Sequence, residues 1–192
     1  MATPVEQPIK SFSSAAVFER WLAKNYQSSN GIWIKFAKKA TGVKSVYYAD
    51  ALDVALCYGW IDGQSKVFDE RYYLQRFTPR RARSMWSKRN IEHVARLTAA
   101  LRMTAAGQAE IERAKADGRW EQAYDSPSNM VIPEDFAAAV RQHKKAAAFM
   151  ATLNKTNRYA IAWRLQTAKK PETRARRFAA MLEMLKNGEK FH

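Results

Sequence analysis

Cysteine is nearly absent. Cys57 is the single one in 192 residues, so no intrachain disulfide framework holds this fold. Three scattered histidines, His93, His143 and His192, give no zinc-ligand spacing with it. They also stand in no motif relation to Cys57, and a buried inert thiol is expected there. No glycine-rich phosphate loop, HExxH or GxSxG occurs. Neither a metal nor a cofactor is therefore expected. No apolar run approaches the ~20 residues of a membrane span. The opening MATPVEQPIKSF lacks the basic-then-apolar order of a signal peptide, so a cytoplasmic location is expected. Acid is also in short supply: 18 Asp and Glu stand against 33 Lys and Arg, for a net charge of +15. Such a balance points to an anionic ligand or partner, or to a soluble basic surface.

With 47% hydrophobic and 12% aromatic residues and little glycine or proline, the chain can bury a real core. It is organised around residues 59–90. Two strand-like runs, Trp60–Phe68 and Tyr72–Phe77, flank the polar turn Asp69-Glu70-Arg71 and predict a hairpin. A basic loop follows, with Arg76, Arg80, Arg81 and Arg83 around Pro79, and then Ser84-Met85-Trp86-Ser87. Either serine is a candidate cap for a helix starting near Lys88. Between Glu70 and Asn90 there are seven Lys and Arg and one acid. Guanidinium forks beside a helix N-terminus make an anion site physically natural. The candidate ligand-binding set is Trp60, Asp62, Arg76, Arg80, Arg83, Ser84, Trp86, Ser87 and Asn90.

Asp62 reads in two ways: a carboxylate pairing Arg76 or Arg80 across the hairpin, or a turn or bulge residue beside Gly63. Trp60, Trp86, Tyr72 and Tyr73 are candidates to stack on a planar ligand, against the commoner role of aromatics in the core. Trp21 and Trp33 are assigned to the core.

Residues 1–11 are expected to form a loose arm. A helix begins at Ser13 or Ser14, with Val17, Phe18, Trp21, Leu22 and Tyr26 on one face. Residues 31–36 read as a strand and Lys38–Lys44 as a basic turn. Tyr48–Tyr58 reads as a helix closed by Gly59. The simplest arrangement is an antiparallel sheet of about three strands with helices on one face. Helices follow over Asn90–Leu101 and Met103–Asp117, the latter with Gly107 as a weak point or break. A loop over Arg119–Pro133 is pinned by Trp120 and Tyr124. Pro133-Glu134-Asp135 starts a helical region with helices near Glu134–His143, Tyr159–Ala168 and Glu172–Lys186, and a shorter one over Lys145–Ala151. The fold class is α+β: a sheet-and-helix body over 12–120 and a helical module over 133–188. Arg141–Arg177 carries eleven Lys and Arg and one acid. Within it Arg158, Lys169, Lys170, Arg174 and Arg177 are candidates for nucleic-acid backbone.

The chain resembles the YdeI/OmpD-associated, or bacteriocin-protection, proteins. In the N-terminal part the resemblance rests on Ala55-Leu56-Cys57-Tyr58-Gly59-Trp60-Ile61-Asp62-Gly63, Gln75-Arg76-Phe77-Thr78-Pro79-Arg80, Ser84-Met85-Trp86-Ser87 and Asn90. In the C-terminal part it rests on Pro133-Glu134-Asp135, Asn157-Arg158 near Trp163, and the run Ala168–Arg177. The resemblance implies a role in stress or antimicrobial resistance and carries over no catalytic residue. The leading expectation is a small anionic ligand, a phosphate, carboxylate or nucleotide, at the arginine loop. One competing reading is an enzyme acting on a small anionic substrate there, with Asp62 as acid or base. Another is a nucleic-acid binder using the C-terminal basic helices. The sequence does not define an oligomeric state.

Overall fold

The computed structural model describes residues 7–125 and 129–191. The chain divides into two units, Met1–Ser84 with Asn90–Glu121, and Met85–Arg89 with Gln122–His192.

The first unit is a four-stranded mixed sheet with helices. Ser14 accepts the Val17 N–H and caps α1 (Ala15–Asn25), which buries Phe18 and Leu22, one turn apart. Strand β2 (Ile32–Ala37) alternates strictly: Ile32, Ile34 and Phe36 are buried, whereas Trp33, Lys35 and Ala37 are half-buried on the opposite side. Helix α2 (Tyr48–Cys57) is buried along all but its first turn. Gly59, at φ 73°, takes the left-handed conformation that ends it. The expected hairpin is present as β3 (Trp60–Val67) and β4 (Tyr72–Pro79). Asp69 forms its turn by accepting the N–H groups of Arg71 and Tyr72.

Two expectations are corrected. The sheet order is β1-β2-β4-β3, and its first strand is parallel to its neighbour. That strand, β1 (Ile9–Lys10), lies in the segment read as a loose arm, of which residues 1–6 fall outside the described residues. It forms because β2 has a free edge, where the Trp33 N–H donates to the Pro8 carbonyl at 2.9 Å. The second correction concerns Gly107. Helices α3 (Lys88–Ala99) and α4 (Ala105–Ala116) follow the hairpin, and Gly107 is buried within α4, not a break in it. A Cβ there would lie 2.3 Å from the Cys57 carbonyl oxygen, so glycine is what lets α4 approach the end of α2.

The second unit is helical: α5 (Glu134–Arg141), α6 (Lys144–Thr152), α7 (Lys155–Gln166) and α8 (Pro171–Lys186). Phe136, Val140, Met150, Ile161, Leu165, Met181 and Leu185 form its core. Asn154 accepts the Asn157 N–H at 2.9 Å, which starts α7 four residues before the expected Tyr159. Pro171 occupies the first turn of α8, as expected. The loop before α5 is tied within this unit: the backbone of Trp86 and Lys88 bonds Tyr124 at 3.0 and 2.9 Å, and the Tyr124 ring stands edge-on to Trp163. Both units together make the α+β architecture that the sequence implies.

Candidate functional site

The expected ligand set falls in both units. Trp60 is 1% exposed and donates its indole N–H to the Tyr26 carbonyl at 3.2 Å, so it is a core residue and not a stacking surface. Asp62 sits where the β3–β4 register slips between Asp62 and Ser65. Its carboxylate accepts the Tyr48 hydroxyl at 2.7 Å, so the bulge reading fits it and a bridge to Arg76 or Arg80 does not form. The bulge aims this carboxylate toward the start of α2, away from the arginines.

Arg76 donates from Nε to the Gln7 side chain at 2.7 Å. Arg80 is 6% exposed, and its backbone N–H donates to the Gly59 carbonyl at 3.0 Å. Arg81 and Arg83 are exposed on a tight turn. That turn is held by Ser84: its N–H donates to the Arg81 carbonyl and its hydroxyl accepts the Arg81 N–H, at 2.9 and 3.2 Å. Ser84 therefore braces the arginine turn. From below, the buried Arg119 donates to the Ser84 carbonyl at 2.7 Å and to Asp117 at 2.7 Å. Trp86, 2% exposed, and Ser87, which pairs its backbone with Tyr124, belong to the second unit. Asn90 is half-buried on α3.

The C-terminal basic candidates divide by exposure. Arg158, Lys169 and Lys170 are exposed. Arg174 is paired with Asp135 at 2.8 Å, which holds the Asp135 carboxyl below its usual range. Arg177 donates to the Arg164 carbonyl at 2.8 Å. These two arginines hold the helices of the module together.

Two features of the first unit were not legible as a site. The first is a cavity of about 730 Å³ whose walls include Ser13, Lys38, Lys39, Lys44, Tyr47 and Asp50. Lys38 donates to the Asp69 carbonyl at 3.0 Å, while Lys39 and Lys44 are exposed and make no ion pair among the described residues. Tyr47 is 70% exposed at the cavity. The sequence showed this segment only as a basic turn.

The second feature is a charge cluster. Asp53 of α2, 7% exposed, takes Arg96 of α3 at 2.7 Å to both oxygens and the His93 Nδ1 at 2.8 Å. Burial raises the Asp53 pKa, but hydrogen bonds from Arg96 and His93 and their charges outweigh it, leaving the carboxyl below its ordinary value. One turn further along α2, burial pushes the Cys57 thiol up to about 11, as befits an inert side chain. Among the described residues no group of three or more His, Cys, Asp and Glu is placed to hold a metal ion. No helix among them is long and apolar enough to cross a membrane.

Residues 10–110 match a domain of unknown function (DUF8412), and residues 129–188 match the family described as bacteriocin-protection, YdeI or OmpD-associated. The chain belongs to the first family, whose match covers its N-terminal half, and its C-terminal part matches the YdeI/OmpD-associated family. The motif Gly59-Trp60-Ile61-Asp62-Gly63 and the arginine loop thus lie in the first match, and the YdeI/OmpD-associated match is confined to the helical module. No curated protein and no solved structure matches the chain.

Proposed function

We propose that the protein binds a small phosphate- or carboxylate-bearing ligand in the lysine-lined cavity of its first unit. The observation that supports this reading is the lining itself, three lysines and a single carboxylate around about 730 Å³. That volume suits a small-molecule site. Lysine amines make point-charge contacts with an anion, and among the described residues none of the three makes an ion pair with an acid. The exposed Tyr47 ring adds an apolar surface for a planar part of the ligand. The arginine turn at Arg81 and Arg83 is a second basic surface of the same unit, exposed and outside the cavity lining. Because Asp62 is engaged by Tyr48, binding and not acid–base catalysis is the reading adopted.

The family match fits a stress- or resistance-associated role. Direct capture of cationic peptides is disfavoured, since a chain at +15 repels them. Any protection is then indirect, through the anionic ligand.

The test is titration of phosphate, sulfate and common nucleotides, followed by tryptophan fluorescence and melting temperature. At ~100 times Kd a ligand should stabilise the wild type by about 2.7 kcal/mol, or roughly 5–10 °C. Lys39→Ala with Lys44→Ala should abolish that gain, and Arg81→Ala with Arg83→Ala should not. Loss confined to the arginine variant would move the site to the loop. No shift with any anion would reject anion binding.

A further inference from the structure

The sheet of the first unit has two faces, and the inner one is taken up by Ile32, Ile34, Phe36 and Phe77. We propose that the outer face binds single-stranded nucleic acid, stacking bases on Trp33 and Tyr72 and contacting phosphates with Lys35, Lys66 and Arg76.

Strand alternation puts Trp33 and Lys35 opposite the buried Ile32 and Ile34. Register carries the same face across the sheet. Trp33 lies opposite Arg76, Lys35 and Lys66 both lie opposite Leu74, and Ala37 lies opposite Tyr72. Leu74, although on this face, is 1% exposed at the centre of the row. Around it cations and rings interleave. The Lys66 ammonium is 4.5 Å from the Trp33 ring centroid. The Lys35 ammonium is 4.1 Å from Tyr72 and 4.3 Å from Phe68. Among the described residues none of Lys35, Lys66 and Arg76 makes an ion pair, and no strand position on this face is an acid. The one carboxylate within strands β3 and β4, Asp62, is opposite Phe77 and so lies on the inner side; Asp69 and Glu70 are in the turn beyond them.

The occupant follows from that chemistry. By register the Trp33 and Tyr72 rows lie four strand positions apart, roughly 14 Å, with Lys35 and Lys66 on the row between them, so two base surfaces flank a phosphate contact. Sheet-based RNA-binding modules work in this way, with strand aromatics stacking unpaired bases. Stacking on a ring is open to any base, so the surface is tolerant of sequence. A duplex keeps its bases within the stack and presents no such planes. An acidic peptide would use the cations but leave the rings idle. The ammonium groups now seated over the rings are mobile point charges that can turn to phosphate when a base takes the ring face. Beyond the sheet, exposed Phe68 extends the apolar strip past the end of β3. The overall charge of +15 favours long-range approach of a polyanion.

The experiment uses the full chain and fluorescence anisotropy of end-labelled oligonucleotides of about 12 nucleotides, single- and double-stranded, over ~50 to ~200 mM salt. Single strands should bind more tightly than the duplex. Trp33→Ala and Tyr72→Ala should each weaken single-strand binding by roughly tenfold without changing the salt slope. Lys35→Gln with Lys66→Gln should lower the slope of log K against log salt by about 1.4. Circular dichroism checks the fold, and Tyr72→Leu serves if Trp33→Ala does not fold. Equal binding of duplex and single strand would overturn the proposal, as would wild-type affinity in the ring variants. So would a loss found only in Lys169→Gln with Lys170→Gln. An oligoglutamate peptide that binds through Lys35 and Lys66, indifferent to Trp33 and Tyr72, would overturn it too.

Discussion

Asp53 joins two helices through a carboxylate that is nearly out of water. Replacing it with alanine leaves His93 and Arg96 facing the end of α2 with their partner gone. Removing one member of a fully buried pair costs about 3–5 kcal/mol, whereas exposed pairs contribute about 0–1. This site is intermediate. The Asp53 and His93 side chains are 11% and 18% exposed, but Arg96 is 56% exposed and regains water when released. Asp53→Ala should therefore cost ~2 kcal/mol and lower the melting temperature by about 4–8 °C.

The pH dependence has a definite sign. The folded pKa of Asp53 lies below the ordinary aspartate value, because the hydrogen bonds and charges of Arg96 and His93 outweigh the opposing effect of burial. Its stabilisation is thus present above the unfolded pKa and is lost as pH falls through the folded one. The gap between wild type and Asp53→Ala should be constant from neutral pH down to ~5 and close below ~4. Denaturant unfolding followed by circular dichroism at stepped pH measures it. A cycle with Arg96→Ala should give a coupling of about 1 kcal/mol or more. If Asp53→Ala melts like the wild type at neutral pH, or if the gap persists unchanged into strong acid, the carboxylate does not tie α2 to α3.

Gly107→Ala should destabilise by ~2 kcal/mol despite alanine's better helix propensity, because the new Cβ meets the Cys57 carbonyl at 2.3 Å; an unchanged unfolding midpoint would show that α4 shifts freely. Trp86→Ala removes a side chain that is 2% exposed and should cost ~3 kcal/mol or more, read as a melting temperature lowered by roughly 6 °C or more; wild-type stability would place the ring in solvent.

Where local chemistry decides, the sequence was readable. Ser14 caps α1, Gly59 ends α2 at a positive φ, Asp69 closes the hairpin, and Pro171 opens α8. Each is a side chain or backbone preference acting within a few residues. Strand β1 was not readable, because two residues carry no periodicity and their partner, Trp33, lies 24 positions beyond Ile9. Gly107 was misread for a related reason: propensity marks glycine as weak, and only the close approach of α2 makes it necessary.

The site residues divide in the same way. Asp53 in the sequence offers only a local role, an acid in an early turn of a helix, while its partners lie 40 and 43 residues away. A signal was present, since His93 and Arg96 are three apart and so share one face of α3, but only the packing of α3 reveals what that face meets. Trp33 was assigned to the core on its size, although its alternation with Ile32 and Ile34 already set it on the other side of the strand. The arginine cluster illustrates the opposite error. A run of like charges in sequence suggests one converging group, yet β4 and the following turn place its members in different surroundings. Arg76 meets Gln7, Arg80 is buried, and Arg81 and Arg83 face water. Positive charge is gathered around a cavity only where the backbone curves around it, as the chain does from Lys38 to Tyr47. That concavity arises from long-range contacts such as the Val46 N–H donating to the Phe12 carbonyl at 2.9 Å, and no count of lysines contains it.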